Sequence, residues 1–409
     1  MSTHNENLAQ NLGANSNLKP NLNPNSNSSP KALPKTWQIK PLGEVCEIIM
    51  GQSPLGENVV EKSKNTNSQA LEFHQGKICF TDKFISASEV VTTDIRKIAP
   101  ENSVLLCVRA PVGVVNITQR QIAIGRGLCA LNLKGGSNEF LYFYLLTLKD
   151  YFNQKATGST FSAINLDIVK KTEIPLPTME IQRQIVQRLD AAFEKIDKAV
   201  ARLKSAKSNL TRYKQSLLKA AFNGTLTKSP HATWQSKTLG EILDYEQPSK
   251  YIVKSTKYDD SFQTPVLTAG KSFILGYTDE KDGIFTRIPV IIFDDFTTAT
   301  KFVDFEFKVK SSAMKILHAK ENADIKFVFY YMQTIHHRSD THKRYWIGEY
   351  SKHKILLPPL QTQKEIVQIL ERHFEGADRT EKFIDSALNR AKMLKQSLLK
   401  AAFEGALVQ

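Results

Sequence analysis

The 409-residue sequence holds no run near the 18 to 20 uninterrupted apolar residues that a membrane-spanning helix needs. Its N-terminus lacks the basic-then-apolar order of a secretory signal. Cysteine is scarce. Cys46, Cys79, Cys107 and Cys129 are the only four, all in the first third, with neither CxxC pairs nor a dense disulfide spacing. They read as reduced, buried thiols of a cytoplasmic protein. Acidic residues are the minority charge, and a net charge of +14 with a pI near 9.4 suits a polyanionic partner, nucleic acid before a membrane surface.

Catalytic patterns are missing too. Gly270-Lys271-Ser272 resembles the end of a phosphate-binding loop, but the glycine that begins such a loop is replaced by Pro265, which also lacks a backbone donor. His336, His337 and His342 have no HExxH arrangement and no paired cysteines nearby, so they form no zinc pattern. Asp279-Glu280-Lys281 has the tail of a nuclease-like carboxylate–lysine set without the upstream Pro-Asp. The Asn-Pro-Pro-Tyr or Asp-Pro-Pro-Tyr of amino-methyltransferases does not occur. The reading is a chain that is not an enzyme, with no metal and no cofactor of its own.

What is present is a repeat. SLLKAAF stands at 216–222 and again at 397–403, and the segments 174–228 and 355–409 are identical at 24 of 55 positions. Both copies open on prolines, Pro175 and Pro177 in one and Pro358 and Pro359 in the other, and run on to Gly224 and Gly405. A glycine just past the last apolar turn suits a left-handed helix cap, and Thr362-x-x-Glu365 reads as a capping box. Two long helices follow from this. In the first, Leu189, Ile196, Leu203, Leu210 and Leu217 form one heptad position, and Ala192, Ala199, Ala206, Tyr213 and Ala220 the other. The second carries Leu370, Ala377, Ile384, Ala391, Leu394, Leu398 and Ala401, less regularly. Each needs a partner. The other copy is the nearest one, and a dimerisation coil is the alternative.

A second repeat, Trp37-x-x-x-x-Leu-Gly-Glu44 and Trp234-x-x-x-x-Leu-Gly-Glu241, has a shift of 197 instead of 181. The chain therefore alternates globular unit, helix, globular unit, helix: an asparagine-rich tail at 1–35 read as disordered, then 36–177, 178–228, 229–359 and 360–409. The helices match in length while the units differ. Each unit reads as short strands followed by an aromatic helix, around Phe140, Tyr144 and Leu148 in one and Phe327, Tyr331 and Ile335 in the other, whose aromatics are more often core than base-stacking. Val104–Val108, 289–293 and 302–309 are among the expected strands. A basic loop precedes each long helix: Lys155, Ser159 and Thr160 in the first, and Arg338, His342, Lys343, Arg344 and Tyr345 in the second. Basic residues interleaved with aromatics suit contact with phosphates and bases; a solvated loop is the other reading.

This order, the duplicated Trp-to-Glu openings, Gly158-Ser159-Thr160-Phe161, the Ile-Pro-Leu-Pro lead-in at 174–177 and the KQSLLKAAFxG ends resemble the specificity subunit of type I restriction–modification systems over residues 36–409. The resemblance implies an α+β fold with two mixed target-recognition domains alternating with two long helices that pair as an antiparallel coiled coil, a pseudo-twofold repeat. It implies that each domain reads one half of a split, asymmetric site in double-stranded DNA; loop position and chemistry make the basic-loop residues above the contacts. It also implies docking of two modification (methyltransferase) subunits carrying S-adenosylmethionine and of restriction/translocase subunits, in the cytoplasm. A helix of about 40 residues is about 60 Å long, enough for half-sites one to nearly two DNA turns apart. The second unit has no Gly-Ser-Thr-Phe; Tyr345-Trp346-Ile347-Gly348 stands nearby. A scaffold that never reads DNA is the rival reading.

Overall fold

The computed structural model describes residues 33–158, 162–227, 233–268, 272–336 and 343–408. The asparagine-rich tail lies almost wholly outside them, and so do Ser159, Thr160, Arg338 and His342. The chain forms two compact units, Lys198–Ala391 and the remainder on either side of it. Each unit is thus built from one globular segment and portions of both long helices, a grouping that the linear division into five segments does not express.

In the first unit β1 (Cys46–Met50), β2 (Val104–Cys107), β3 (Val115–Ile117) and β4 (Leu128–Leu133) form an antiparallel sheet in the order β1-β4-β2-β3. These strands are apolar on both faces because both are covered. One face packs on α1 (Asn138–Thr147) and the start of α2 (Met179–Phe222), with Leu106, Leu131, Phe140, Ile185 and Leu189 in one cluster. The other face packs, through Leu105 and Ala130, on Ile122, Ile124 and Ile85. A five-stranded sheet from Val59–Glu61, Val90–Thr92, Leu71–His74, Ile122–Ile124 and Ile98–Ala99 lies on that side. Cys46, Cys107 and Cys129 are buried and free, Cys79 is half-buried, and burial pushes the first three thiols up to about 12.

The second unit repeats this plan with β5 (Leu243–Glu246), β6 (Val290–Asp294), β7 (Thr300–Val303) and β8 (Met314–Ala319) in the order β5-β8-β6-β7. It is covered by α3 (Ile325–Met332) and the start of α4 (Leu360–Phe403). The expected strand 302–309 is two, ending at Val303 and resuming at Lys308–Val309 in a different sheet, because Phe307 turns inward to stack on Phe285 at 4.9 Å.

Both long helices are 44 residues, about 66 Å. Gly224 and Gly405 adopt φ +76°, and the N–H groups of Thr225 and Ala406 close on the carbonyls of Ala220 and Ala401, as in a Schellman cap. The capping box expected at Thr362 is not the N-terminal device, because α4 starts at Leu360 and Thr362 is already inside it. Buried Gln363 acts instead. Its Nε2 donates to the carbonyls of Pro358 and Asn322, and its Oε1 accepts from the N–H of Asp324, the N-cap of α3. Gln182, at the same place in the first copy, donates to the Pro177 carbonyl and accepts from the N–H of Ser137, the N-cap of α1.

The helix pairing is antiparallel in each unit. In the second, Lys207 meets Asp385 at 2.6 Å and Lys214 meets Asp378 at 2.5 Å, one index falling as the other rises. In the first, Lys395 meets Asp197 at 2.5 Å. Leu189 is buried and Ile196, Leu203, Leu210 and Leu217 are half-buried, while Leu370 and Ile384 are buried and Leu398 half-buried. Leu394 is 42 % exposed, a correction to its assignment to the seam; the next residue, Lys395, turns inward. The alanine position is corrected too. Ala199, Ala206 and Tyr213 are exposed, and the second seam position is Phe193, Val200, Lys207, Lys214 and Ala221. Lysine serves there because its methylene stem lies in the seam while the ammonium reaches a carboxylate at the rim.

The helix ends finish each unit. Phe403 packs on Phe140 and Tyr144 at 5.2 and 5.1 Å, and Phe222 packs on Phe327 and Tyr331 at 5.2 Å each. SLLKAAF of each copy therefore docks on the aromatic helix of the unit that the other copy's helix begins in.

Two outcomes test this packing. Phe403→Ala removes a ring that is 7 % exposed, costs about 3 kcal/mol or more, and advances the first unfolding transition in urea. Lys214→Glu sets a third carboxylate beside Asp378 and Glu381. Its melting midpoint falls by roughly 2–4 °C at about 0.1 M salt and recovers most of that near 1 M, where the screening length drops from about 10 to about 3 Å.

Candidate nucleic-acid interface

In both units the loop before the long helix is held against the same connection of the four-stranded sheet. In the first unit Thr157 and Ala163 exchange backbone hydrogen bonds of 3.0 and 2.9 Å, closing a hairpin in which Gly158 has φ +118°. The hairpin leans on the β2–β3 connection: Ala110 N–H donates to the Ser162 carbonyl, and Ile164 N–H to that of Val108. Exposed Arg109 sits at this junction, bridged to Ala163. Lys155, exposed at the end of the short helix Lys149–Lys155, has its ammonium 5.9 Å from the Tyr151 ring.

In the second unit the equivalent contact is made by other chemistry. Asp295, just after β6, accepts from Tyr345 N–H through its carbonyl and from Trp346 N–H through Oδ1, both at 2.9 Å. Its Oδ2 lies 3.4 Å from the Lys315 ammonium, and both side chains are almost fully buried. A buried pair of this kind persists only when its remaining hydrogen bonds are made, and here the loop backbone supplies them. Trp346 and Tyr350 pack on Phe293 at 5.2 and 4.7 Å. The β6–β7 connection is itself fixed by Asp294, whose Oδ1 accepts from the N–H groups of Phe296 and Thr297, with Thr298 at φ +60°.

The sequence-derived candidates divide accordingly. Lys155, Lys343 and Arg344 are exposed. Lys343 is paired with Glu349 and lies 5.3 Å from the Tyr345 ring, and the Arg344 guanidinium lies 6.0 Å from the Phe296 ring. Hydrogen bonding to Glu349 holds the Lys343 ammonium above its usual range. Tyr345 is a correction: at 2 % exposure it is part of the apolar core, so its ring serves the loop's anchorage and is closed to base stacking. Arg109 was missed, although an arginine directly after the apolar run 104–108 and before Pro111 was a readable signal for a rim position. Among the described residues no three His, Cys, Asp or Glu side chains gather as a metal site, and no helix is long and apolar enough to cross a membrane.

Comparison with known proteins agrees with this duplicated plan. The family model for the type I restriction modification DNA specificity domain matches twice, at 34–205 and 231–390. The chain is 50 % identical over 147 residues to the type I restriction enzyme EcoR124I/EcoR124II specificity subunit of Escherichia coli, covering 33 % of this chain and 36 % of that protein. It is 30 % identical over 198 residues to a putative MjaX specificity subunit of Methanocaldococcus jannaschii, covering 47 % and 44 %. These two matches thus span less than half of either relative. The StySPI specificity subunit of Salmonella potsdam matches at 23 % identity over 92 % of this chain and 90 % of its own length. A chain solved for the complex assembly and conformational transition of the type I R-M system superposes with a TM-score of 0.74 at 18 % identity, over 92 % of this chain and all of that one. The HsdS subunit of Thermoanaerobacter tengcongensis does so at 0.51 and 19 % identity, over 92 % and 99 %. With both of its globular segments matched and its paired helices in the same order, the chain belongs to the type I restriction–modification DNA specificity family.

Proposed function

We propose that this chain is the sequence-reading subunit of a type I restriction–modification complex, a non-catalytic protein that acts on DNA in the cytoplasm. Each unit binds one half of a split, asymmetric double-stranded site. The paired helices dock two modification subunits, which carry S-adenosylmethionine and methylate an adenine in each half, and restriction/translocase subunits join for cleavage. The observation that carries this reading is the double family match, each copy falling on a unit whose rim presents exposed cations at the same sheet connection.

Chemistry at that rim fits the role. Lys155 and Arg109 in one unit and Lys343 and Arg344 in the other project from loops fixed by backbone bonding or a buried ion pair. Arginine presents a planar fork that matches guanine or phosphate, and lysine a point charge that suits phosphate. Ser159, Thr160, Arg338 and His342 belong to the same two loops and are proposed as further contacts. The net charge of +14 adds a sequence-independent attraction that falls with salt.

Methylome sequencing of a host with and without the gene, the modification subunit present in both, tests the reading. The expected result is loss of adenine methylation at one bipartite, asymmetric motif of fixed gap; an unchanged methylome would favour a scaffold that does not read DNA. Arg344→Ala is expected to cost about 1–3 kcal/mol if it reads a base and to relax one position of one half-site, or to weaken all sequences alike if it holds a phosphate. Unchanged affinity and salt slope would remove Arg344 from the interface.

A further inference from the structure

Three turns of the first unit meet beside the β2–β3 connection: residues 51–53, 75–76 and 125–127. Their backbones are tied by Gly51 N–H to the Leu128 carbonyl at 2.9 Å, Gln52 N–H to that of Ile124 at 3.0 Å, and Gly125 N–H to that of His74 at 2.9 Å. The glycines are there because the chains touch. A Cβ on Gly51 would stand 2.1 Å from the Gly125 carbonyl oxygen, and one on Gly127 would stand 2.3 Å from that of Gln75. On Gly125 it would meet Gln75 Oε1 at 2.1 Å and the Phe73 ring at 2.9 Å.

Gln52, Gln75 and Arg126 are the exposed side chains of these turns, and the charged one among them is Arg126, set between two buried glycines. Its backbone N–H donates to Ser53 Oγ at 3.2 Å, and that hydroxyl donates onward to Gln75 Oε1 at 2.8 Å. Two arginines of this unit are tied to carboxylates, Arg96 to Asp94 and Arg120 to Glu72, while Arg109 and Arg183 have no ion pair among the described residues. The guanidinium of Arg126 has no such partner among the described residues. A solvated surface arginine needs no frame of three interlocked turns. An arginine that must reach a fixed point does, because misplacement by about 1 Å loosens a recognition site. Gly127 also accepts from Val108 N–H at 2.9 Å, so the turn lies directly beside Arg109 and the rim already described. Exposed Lys77 follows Gly76 on the neighbouring turn.

We propose that Arg126 reads a guanine through the major groove, as the base-contacting residue of the first unit, with Ser53 and Gln75 holding its turn. A rigidly mounted guanidinium can donate to guanine O6 and N7 bidentately, whereas a phosphate contact needs no such mounting. This proposal rests on the DNA-reading function above.

The experiment is methylome sequencing of a host that makes the modification subunit together with the full chain, as wild type, Arg126→Ala or Arg126→Lys. The wild-type motif should hold a G·C pair at one position of one half-site. In both variants discrimination at that position should fall by about tenfold or more, with the other half-site unchanged and the melting midpoint kept. A uniform loss at every site or an unaltered motif would each overturn base reading by Arg126, and rescue by Arg126→Lys would overturn the bidentate fork. A wild-type chain that directs methylation to no motif would instead bring down the DNA-reading function underneath, and the proposal with it.

Discussion

The structure depends on the docking of each long helix's last turn into a unit that it does not begin. Phe403 closes on Phe140 and Tyr144, where α2 starts, and Phe222 closes on Phe327 and Tyr331, where α4 starts. Aromatic pairs of this kind contribute about 0.5–1.5 kcal/mol each beyond their burial, and the leucines and alanines of the same turn add theirs to the two cores. A helix with one apolar stripe has little reason to persist over 44 residues alone. Each copy of SLLKAAF must therefore fit a site shaped by the other repeat. That constraint accounts for nine consecutive identical residues at the ends of helices whose middles have diverged.

The same reciprocity governs the seam. Lys395 with Asp197 and Lys214 with Asp378 are one contact made twice, since each residue is displaced from its counterpart by the repeat shift of 181. Half-exposed ion pairs contribute little to stability. At the seam they mark the register instead, Lys395 opposite Asp197 and Lys214 opposite Asp378. Lys207 with Asp385 has no counterpart, because the shift carries Lys207 to Leu388. The seam is therefore symmetric where the units are attached and free to differ between.

Much of this was legible in the sequence. The repeat placed both helix starts to within a residue and set their ends at 228 and 409, six residues past Phe222 and Phe403, and the Leu/Ile position of the first helix is buried or half-buried in the structure. The alanine position did not, for a physical reason. The true position lies one residue on, and counting lysine as polar favoured Ala206 and Tyr213 over Lys207 and Lys214, whose stems are apolar and whose charges are met. Gln182 and Gln363 were invisible for the opposite reason: a glutamine in a first helical turn reads as surface, and only the folded chain shows it joining two helix starts. Tyr345 was misread because an aromatic among basic residues has the composition of a nucleic-acid contact, whereas its ring completes the core under the loop. The rim of the first unit was only half legible. Arg126 lies between two glycines whose meaning is a close approach of three separate turns, and no local pattern carries that.

The two loops show how such a protein can change what it meets without changing how it is built. At one topological position the first unit uses a backbone hairpin, Thr157 with Ala163, and the second a buried carboxylate, Asp295, bonded to Tyr345 and Trp346 and neutralised by Lys315. Neither solution involves the ion pairs of the seam. In the second unit Trp346 and Tyr350 on Phe293 stand in place of the Thr157–Ala163 pairing. The docking sites have to resemble each other because each receives the other repeat's helix, while the loops answer only to the sheet connection beneath them. That division of constraint is why two segments identical at 24 of 55 positions sit beside globular units that share little beyond their openings.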